Sequence, residues 1–474
     1  MFFKRVYEKG LAHASYIIGC QATKEAIVID PKRDVDTYLE IAAREKLKIT
    51  HITETHIHAD FLSGSRELAA ITGAKIYLSD EGGKDWQYQF NHIGLRDGAE
   101  IKVGNLILKV MHTPGHTPEH ISFLLTDTPS SSEPSMIFTG DFVFVGDVGR
   151  PDLLEKAAGI EGTMIAGAKQ MFQSLKKFKL LPDYIQIWPA HGAGSACGKA
   201  LGAVPNSTIG YEKLSNWAFK IKNEEEFIKL LLDGQPEPPK YFAEMKKQNK
   251  LGPKILGTIP IPPKLSADVL ERVINNGHII IDTRDKISFA GGHFPGSLNI
   301  QDNNSFSTWA GWMLNYDQPF ILVAPDERIN HLTRALIRIG FDNISAYINE
   351  NNNPNIYGFK KSTSKQITAE ELKNSLSEYQ IIDVRGYSEF KISRIAGAIN
   401  IHAGELEKQF GKLDLNKKIV VHCETGDRSS IASSFLAGNG LTEVYNLTCG
   451  INGWVEAGYP VVKENTLALE LPAI

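Results

Sequence analysis

The sequence predicts a multidomain α/β protein, and three observations predict it. Short apolar strands alternate with helical or loop stretches along the chain. Prolines gather in one place, with seven of them from Pro236 to Pro263. Beyond that seam the sequence repeats itself at a constant offset of 101 residues. A chain of 474 residues also suits about three domains at roughly 150 residues each.

The first stretch reads as five apolar strands, "EAIVID" (25–30), "ITHITETH" (49–56), "LILKVMH" (106–112), "MIFTG" (136–140) and "YIQIWPA" (184–190). Ligand-type residues follow four of them. They are His56, His58 and Asp60, then His116, then Asp141, then His191. Such residues collected from several strand ends form a site at the edge of a sheet. In the seam, "GQPEPPKYF" and "GTIPIPPKL" read as extended connectors around a short helical piece, "AEMKKQNK". The expected first domain is therefore 1–235, followed by a linker at 236–263.

The repeat covers the rest. "IIIDTRDKISFAGGHFPGSLNI" aligns with "QIIDVRGYSEFKISRIAGAINI". Asp282, Arg284, Phe289, Gly296, Asn299 and Ile300 match Asp383, Arg385, Phe390, Gly397, Asn400 and Ile401. The period is too long for a solenoid, so it marks a duplicated domain. Strands "IIIDT" and "FILVA" in one copy, and "IIDVR" and "IVVHC" in the other, precede helical "LTRALIRIG" and "SSIASSFLAGNG". That alternation predicts a small α/β unit with a mainly parallel sheet. The copies are placed at 264–358 and 359–474, with "NENNNPNIYG" (349–358) as the loop between them.

Composition excludes several functions. A formal net charge of −4 gives no field favouring nucleic acid or an anionic membrane. No apolar run reaches the 18 or so residues of a span. Lys4 and Arg5 come too early for a signal core. Cys20, Cys197, Cys423 and Cys449 lie far apart, which is neither a disulfide framework nor a zinc finger. A reducing cytosol is the expected location. Oligomeric state stays open, a homo-oligomer included.

"THITETHIHADFLSG" (50–64) holds His56, His58 and Asp60 as His-x-His-x-Asp. A lone histidine is more often a satisfied polar residue than a ligand, and His13, His51, His92, His112 and His120 take that reading. Alternate residues leaving a strand point the same way, however. Together "THIHADFLSG", "HTPGHT", "FTGD" and "PAHG" resemble the metallo-β-lactamase superfamily, nearest its glyoxalase II and persulfide dioxygenase branch. The resemblance implies an αββα sandwich with metal at one edge of the sheets. In two-metal members the Asp60 position and the one after it hold the second ion, and here the next residue is Phe61. Phenylalanine offers no lone pair. What remains is His56, His116 and Asp141, the two-imidazole, one-carboxylate set of non-haem Fe(II) oxygenases. One Fe(II) per chain is expected, with zinc left open because ligand type alone does not fix the metal.

His58, Asp60 and His191 then either orient the ligands or are remnants of a dinuclear ancestor. "GDVGRPDL" (146–153) resembles the Gly-Arg-x-Asp stretch of persulfide dioxygenases. Arg150 there either binds a substrate carboxylate bidentately or forms a structural ion pair. Cys197, in the glycine-rich run after His191, either handles sulfur or is a small buried hydrophobe.

"IVVHCETGDRSS" (419–430) runs an apolar strand into Cys423, a short loop and a helix. Inward backbone N–H groups and the helix start give positive potential around the sulfur, which favours the nucleophilic thiolate. Arg428 adds an anion-holding charge. This resembles the rhodanese sulfurtransferases, whose six-residue loop suits sulfur. Glu424 and Asp427 depart from the pattern and weaken the pull on anions. The first copy has "FILVAPDERINHL" (320–332) at this place, without cysteine. Its loop is two residues shorter, and Pro325 removes an N–H. That copy is expected to be a scaffold or docking surface. The whole resembles a persulfide dioxygenase fused to an inactive and an active rhodanese domain. The resemblance implies a small thiol persulfide, O2 and sulfite or thiosulfate as partners. The alternatives are a zinc thioester hydrolase fused to a sulfurtransferase, or a non-catalytic persulfide carrier or sensor.

Overall fold

The computed structural model describes residues 1–158, 162–199, 201–349 and 360–464. From residue 350 on, the asparagine-rich stretch assigned above to the loop between copies lies outside the described residues. Contacts divide the chain into two compact units. Met1–Ile259 with Arg334–Phe341 form one, and Pro260–Thr333 with the residues from Asp342 onward form the other.

In the first unit, β1 (Phe2–Glu8), β2 (His13–Gly19), β3 (Glu25–Ile29), β4 (Lys48–Thr53), β5 (Lys75–Ser79) and β6 (Ile93–Leu95) lie side by side in chain order. A second sheet holds β7 (Glu100–Val103), β8 (Leu106–His112), β9 (Ile121–Asp127), β10 (Met136–Gly140), β11 (Gln186–Pro189) and β12 (Ser207–Thr208), also as ordered neighbours. Successive side chains of a strand point to opposite faces. Ile18, Ile27 and Ile29 therefore turn one way and meet Leu106, Leu108, Phe123 and Phe138 of the second sheet. Ile17, Ala26 and Val28 turn the other way and pack on Tyr38 and Ile41 of the helix Asp36–Arg44. Behind the second sheet, Ile137 and Ile187 pack on Ala168, Met171 and Leu175 of the helix Thr163–Phe178. The layers run helix, sheet, sheet, helix, the αββα sandwich expected. Each fully buried large apolar side chain contributes about 1.5–3 kcal/mol, so the stable core lies between the sheets and the strand ends carry the polar residues.

The helix Tyr241–Leu251 follows the sandwich. The proline pattern ends the first domain near 235, yet Tyr241, Phe242, Met245 and Asn249 are buried and the unit reaches Ile259. This helix belongs with the sandwich because its buried face serves the loop after β4, as described below.

The second unit has two parallel sheets. One holds β13 (Ile279–Asp282), β14 (Leu298–Asn299), β15 (Phe320–Val323) and β16 (Ile344–Ile348) in the order β14-β13-β15-β16. The other holds β17 (Lys365–Ile367), β18 (Tyr379–Asp383), β19 (Ile399–Asn400), β20 (Lys418–His422) and β21 (Val444–Leu447) in the order β19-β18-β20-β21-β17. The same order occurs twice, with β17 added at an edge, so the repeat in sequence is a repeat of fold. All four residues of β15 are buried, which is why "FILV" is continuously apolar rather than alternating.

Candidate metal centre and sulfur loop

Four strands of the sandwich end at one rim and deliver the ligand-type side chains there. His56 follows β4, His116 follows β8, Asp141 follows β10 and His191 follows β11. His116 Nε2 lies 3.5 Å and His56 Nε2 lies 3.9 Å from Asp141 Oδ2. Among the described residues, His56, His116 and Asp141 form one group able to hold a metal ion, and all three are buried. The other imidazole nitrogens are committed. His116 Nδ1 donates to the Arg150 carbonyl at 2.8 Å. His56 Nδ1 lies 3.0 Å from Thr55 Oγ1, which donates to Asp30 Oδ2. These bonds fix the tautomers and aim both Nε2 lone pairs at the same point.

A cation fits that point. His56 Nε2 and both Asp141 oxygens are buried without a hydrogen-bond partner, a costly arrangement unless an ion satisfies them. Burial holds the His56 and His116 imidazoles below their ordinary range. Burial opposes the charge on Asp141, but His191, His56 and His116 hold its carboxyl well below the usual range. Neutral imidazoles beside a carboxylate are the forms that bind metal.

Asp60, His191 and Cys197 form a second buried group of possible ligands. His191 Nε2 lies 3.3 Å from both Asp60 Oδ2 and Asp141 Oδ1, and its Nδ1 donates to the Ala12 carbonyl at 3.0 Å. Burial pushes the Cys197 thiol up to about 12, with Asp141 adding to the shift. His58 turns away from the first group and places Nε2 3.1 Å from Asp30 Oδ1. Burial lowers its basicity, but Asp30 outweighs that and lifts it to about 9. Phe61 is fully buried and packs at a tilt against His13 and His58, with ring centroids 3.9 and 4.4 Å away. Arg150 is fully buried. Its guanidinium donates twice to Asp152 at 2.7 Å and once to the Ala196 carbonyl at 3.1 Å. Its side chain thus occupies the ion-pair position, and its backbone carbonyl orients His116.

Sequence reasoning missed five supports of this rim. Asp30, at φ 52° just after β3, accepts from the Thr55 backbone N–H at 2.7 Å and joins Thr55 to His58. His120 Nε2 accepts from the Asp141 backbone N–H at 3.1 Å. Asn249 donates to the carbonyls of His58 and Phe61 at 2.8 and 2.7 Å, and Tyr241 donates to that of Asp60 at 3.0 Å. Gly140 has φ 49°, and a Cβ there would fall 2.5 Å from Thr55 Oγ1 and 2.6 Å from His120 Nε2, so only glycine brings Asp141 to the rim. The available signal was the polar residue at each strand end, Asp30 included.

In the second unit, Cys423 follows β20 and is buried. The Gly426 N–H donates to its Sγ at 3.1 Å, and Ser429 Oγ lies 3.5 Å from it. Gly426, at φ 100°, starts the helix Asp427–Gly438. Arg428 does not face the sulfur alone. It donates to both oxygens of Glu389 at 2.7 and 2.8 Å and lies 3.6 Å from Glu424. In the first copy the matching place is Ala324 and Pro325 before a short turn, and Arg328 pairs with Asp302 at 2.6 and 2.9 Å.

Comparisons with known proteins agree with this division. Residues 9–191 match the metallo-beta-lactamase superfamily, and residues 266–350 and 368–457 each match the rhodanese-like domain. A crystal structure of a metallo-beta-lactamase from Staphylococcus aureus is 48% identical, covers 73% of this chain and 99% of its own, and gives a TM-score of 0.69. A mitochondrial persulfide dioxygenase of Mus musculus is 28% identical over 238 residues, 49% of this chain and 80% of that one. A probable polyketide biosynthesis zinc-dependent hydrolase of Bacillus velezensis is 26% identical over 226 residues, 47% of this chain and 89% of that one. Among the described residues no helix is long and apolar enough to cross a membrane.

Proposed function

The chain belongs to the metallo-beta-lactamase superfamily and carries two rhodanese-like domains after that module, and from that premise we propose that it is a persulfide dioxygenase with sulfurtransferase activity. The observation that carries the reading is the donor set: His56, His116 and Asp141 converge, while Phe61 fills the place of a second-metal ligand. His56, His116 and Asp141 would hold a ferrous ion, which when bound would supply the redox chemistry that joins a persulfide sulfur to dioxygen. The chain's own residues do the rest. Asp30 and the Arg150 carbonyl hold the imidazoles in register. Phe61 walls the site with carbon. Asp60 and His191 lie 3.3 Å apart beside it.

The net change is R–SSH plus O2 plus water to R–SH, sulfite and two protons. In the second unit, Cys423 attacks the sulfane sulfur of a further R–SSH, breaking its S–S bond, releasing R–SH and leaving a persulfide on Cys423. Sulfite takes that outer sulfur as thiosulfate and restores the thiol. The role is persulfide detoxification in the cytosol. The test is oxygen uptake by anaerobically iron-loaded protein with glutathione, coenzyme A, cysteine and bacillithiol persulfides. About one iron per chain and uptake with at least one persulfide are expected, and Asp141→Ala loses both.

A second reading is a zinc thioester hydrolase, favoured by the Asp60, His191 and Cys197 group and by the hydrolase relative. Two tightly bound ions per chain, with thioester cleavage and no oxygen uptake, would establish it instead.

A further inference from the structure

The sulfur loop is held open by its carbonyls. Cys423 O accepts from the Ile451 N–H at 2.9 Å, Glu424 O from the Asn452 N–H at 3.1 Å and Gly426 O from the Ser430 N–H at 3.1 Å. All three donors lie in the cysteine-bearing copy. Thr425 O is different. It accepts from Lys286 Nζ at 2.6 Å, and Lys286 opens the helix Lys286–Gly291 of the copy that has no cysteine.

The peptide it grips matters. The Thr425 carbonyl and the Gly426 N–H belong to one planar trans unit and point in opposite directions. Holding that carbonyl outward holds the Gly426 N–H inward, where it donates to Cys423 Sγ at 3.1 Å. The same ammonium pairs with Asp427 Oδ1 at 2.6 Å. The lysine stem lies over Gly426, with Cδ 3.6 Å from where a Cβ would stand. Lys286 is itself placed by its backbone N–H, which donates to Gln301 Oε1 at 3.1 Å. From Cys423 to Arg428 the loop contains no lysine, and its arginine is bidentate on Glu389.

We propose that Lys286 is a positioning residue of the sulfur site: it sets the peptide whose N–H faces Cys423 and neutralises Asp427 at the mouth, so that anionic sulfur compounds reach the thiol. The proposal rests on Cys423 being the sulfur carrier, and it gives the cysteine-less copy a task. It also answers the acidic departure of the loop, since Asp427 is met by a cation from outside the loop.

The test needs no knowledge of the natural donor. Alkylation of Cys423 in the full chain is followed by peptide mass spectrometry, with anionic iodoacetate and with neutral iodoacetamide. The ratio of the two rate constants reads the charge at the mouth. Lys286→Ala and Lys286→Met should both lower the ratio about three- to tenfold, the size of one nearby charge in partly screened surroundings. Lys286→Arg should restore it, and Asp427→Asn should move it the opposite way. In the thiosulfate–cyanide assay the alanine variant should raise KM by a similar factor and change kcat less. A wild-type ratio in both Lys286→Ala and Lys286→Met overturns the proposal. Failure of the sulfur-carrier reading shows separately, as transfer that survives Cys423→Ser.

Discussion

The two rhodanese-like copies keep one scaffold and differ at one turn. Arg284 donates to Asp282 and to the Gly292 carbonyl, and Arg385 donates to Asp383 and to the Ser393 carbonyl. Asn299 donates to the carbonyls of Asp282 and Arg284, and Asn400 does the same for Asp383 and Arg385. The matched Asp, Arg and Asn of each copy therefore tie β13 to β14 and β18 to β19. The contrast comes after the matching strands β15 and β20. One copy turns through Ala324 and Pro325, and the other winds Cys423 to Gly426 around a sulfur atom. Duplication has preserved what the fold needs. The proposed sulfur chemistry rests on two extra residues and one thiol.

The sharpest break in that contrast is Cys423→Ser. Cyanide-dependent sulfur transfer should fall by about three orders of magnitude or more, as expected when a nucleophile is removed. Thiosulfate should disappear beyond what free sulfite and persulfide form spontaneously, while oxygen uptake with a persulfide stays near wild type. Wild-type thiosulfate production would show that Cys423 is not the carrier.

Next in size are the paired arginines. Arg385→Ala strands the buried Asp383 carboxylate and should cost about 3 kcal/mol, measured by urea denaturation. Arg284→Ala should cost less, because its side chain is 19% exposed against 5% for Arg385. A smaller loss at Arg284 than at Arg385, with loss of sulfur transfer only at Arg385, would sharpen the comparison.

A smaller effect is expected at Glu389. Burial raises its carboxyl, but the hydrogen bonds and charge of Arg428 outweigh that and hold it below the usual range. A carboxyl depressed on folding adds stability above its unfolded value, about 4.3, and loses it as pH falls through the lower folded value. Glu389→Gln should therefore cost about 1 kcal/mol at pH 7, given its partial exposure, and nothing at a pH below both values. A pH-independent cost would refute the ion-pair account. The smallest effect belongs to Ala324→Cys in the Cys423→Ser background. No transfer should return, because the following Pro325 has no N–H to face a sulfur. Recovered activity would reduce the difference between copies to a missing thiol.

Much of this was legible because the relevant residues are local. Strands β3, β4, β8, β10, β11, β13, β15, β18 and β20 coincide with apolar runs read from sequence, and His56, His116 and Asp141 follow such runs directly. Asn249 was not legible, and Asp30 showed only as a polar residue at a strand end. Asp30 acts through Thr55, 25 residues on, and Asn249 reaches back 188 residues to Phe61 from the short helical piece assigned to the linker. His120 looked ordinary because its partner is a backbone N–H, which no pattern of side chains reveals. Lys286 was hidden likewise, since its grip on Thr425 spans 139 residues.

The distance from Phe61 to Asn249 has a consequence during synthesis. At about 5–20 residues per second, the loop carrying His56, His58 and Asp60 emerges from the ribosome on the order of 10–40 s before the asparagine that clasps it. Through that interval the nascent chain displays these side chains while the carbonyls of His58, Asp60 and Phe61 still lack the donors that fix them. A product that stalls before residue 241 carries every residue of the metal group and none of the clasp. The helix Tyr241–Leu251 thus acts as a late stitch of the sandwich, and the order of translation brings it after every residue of the metal group.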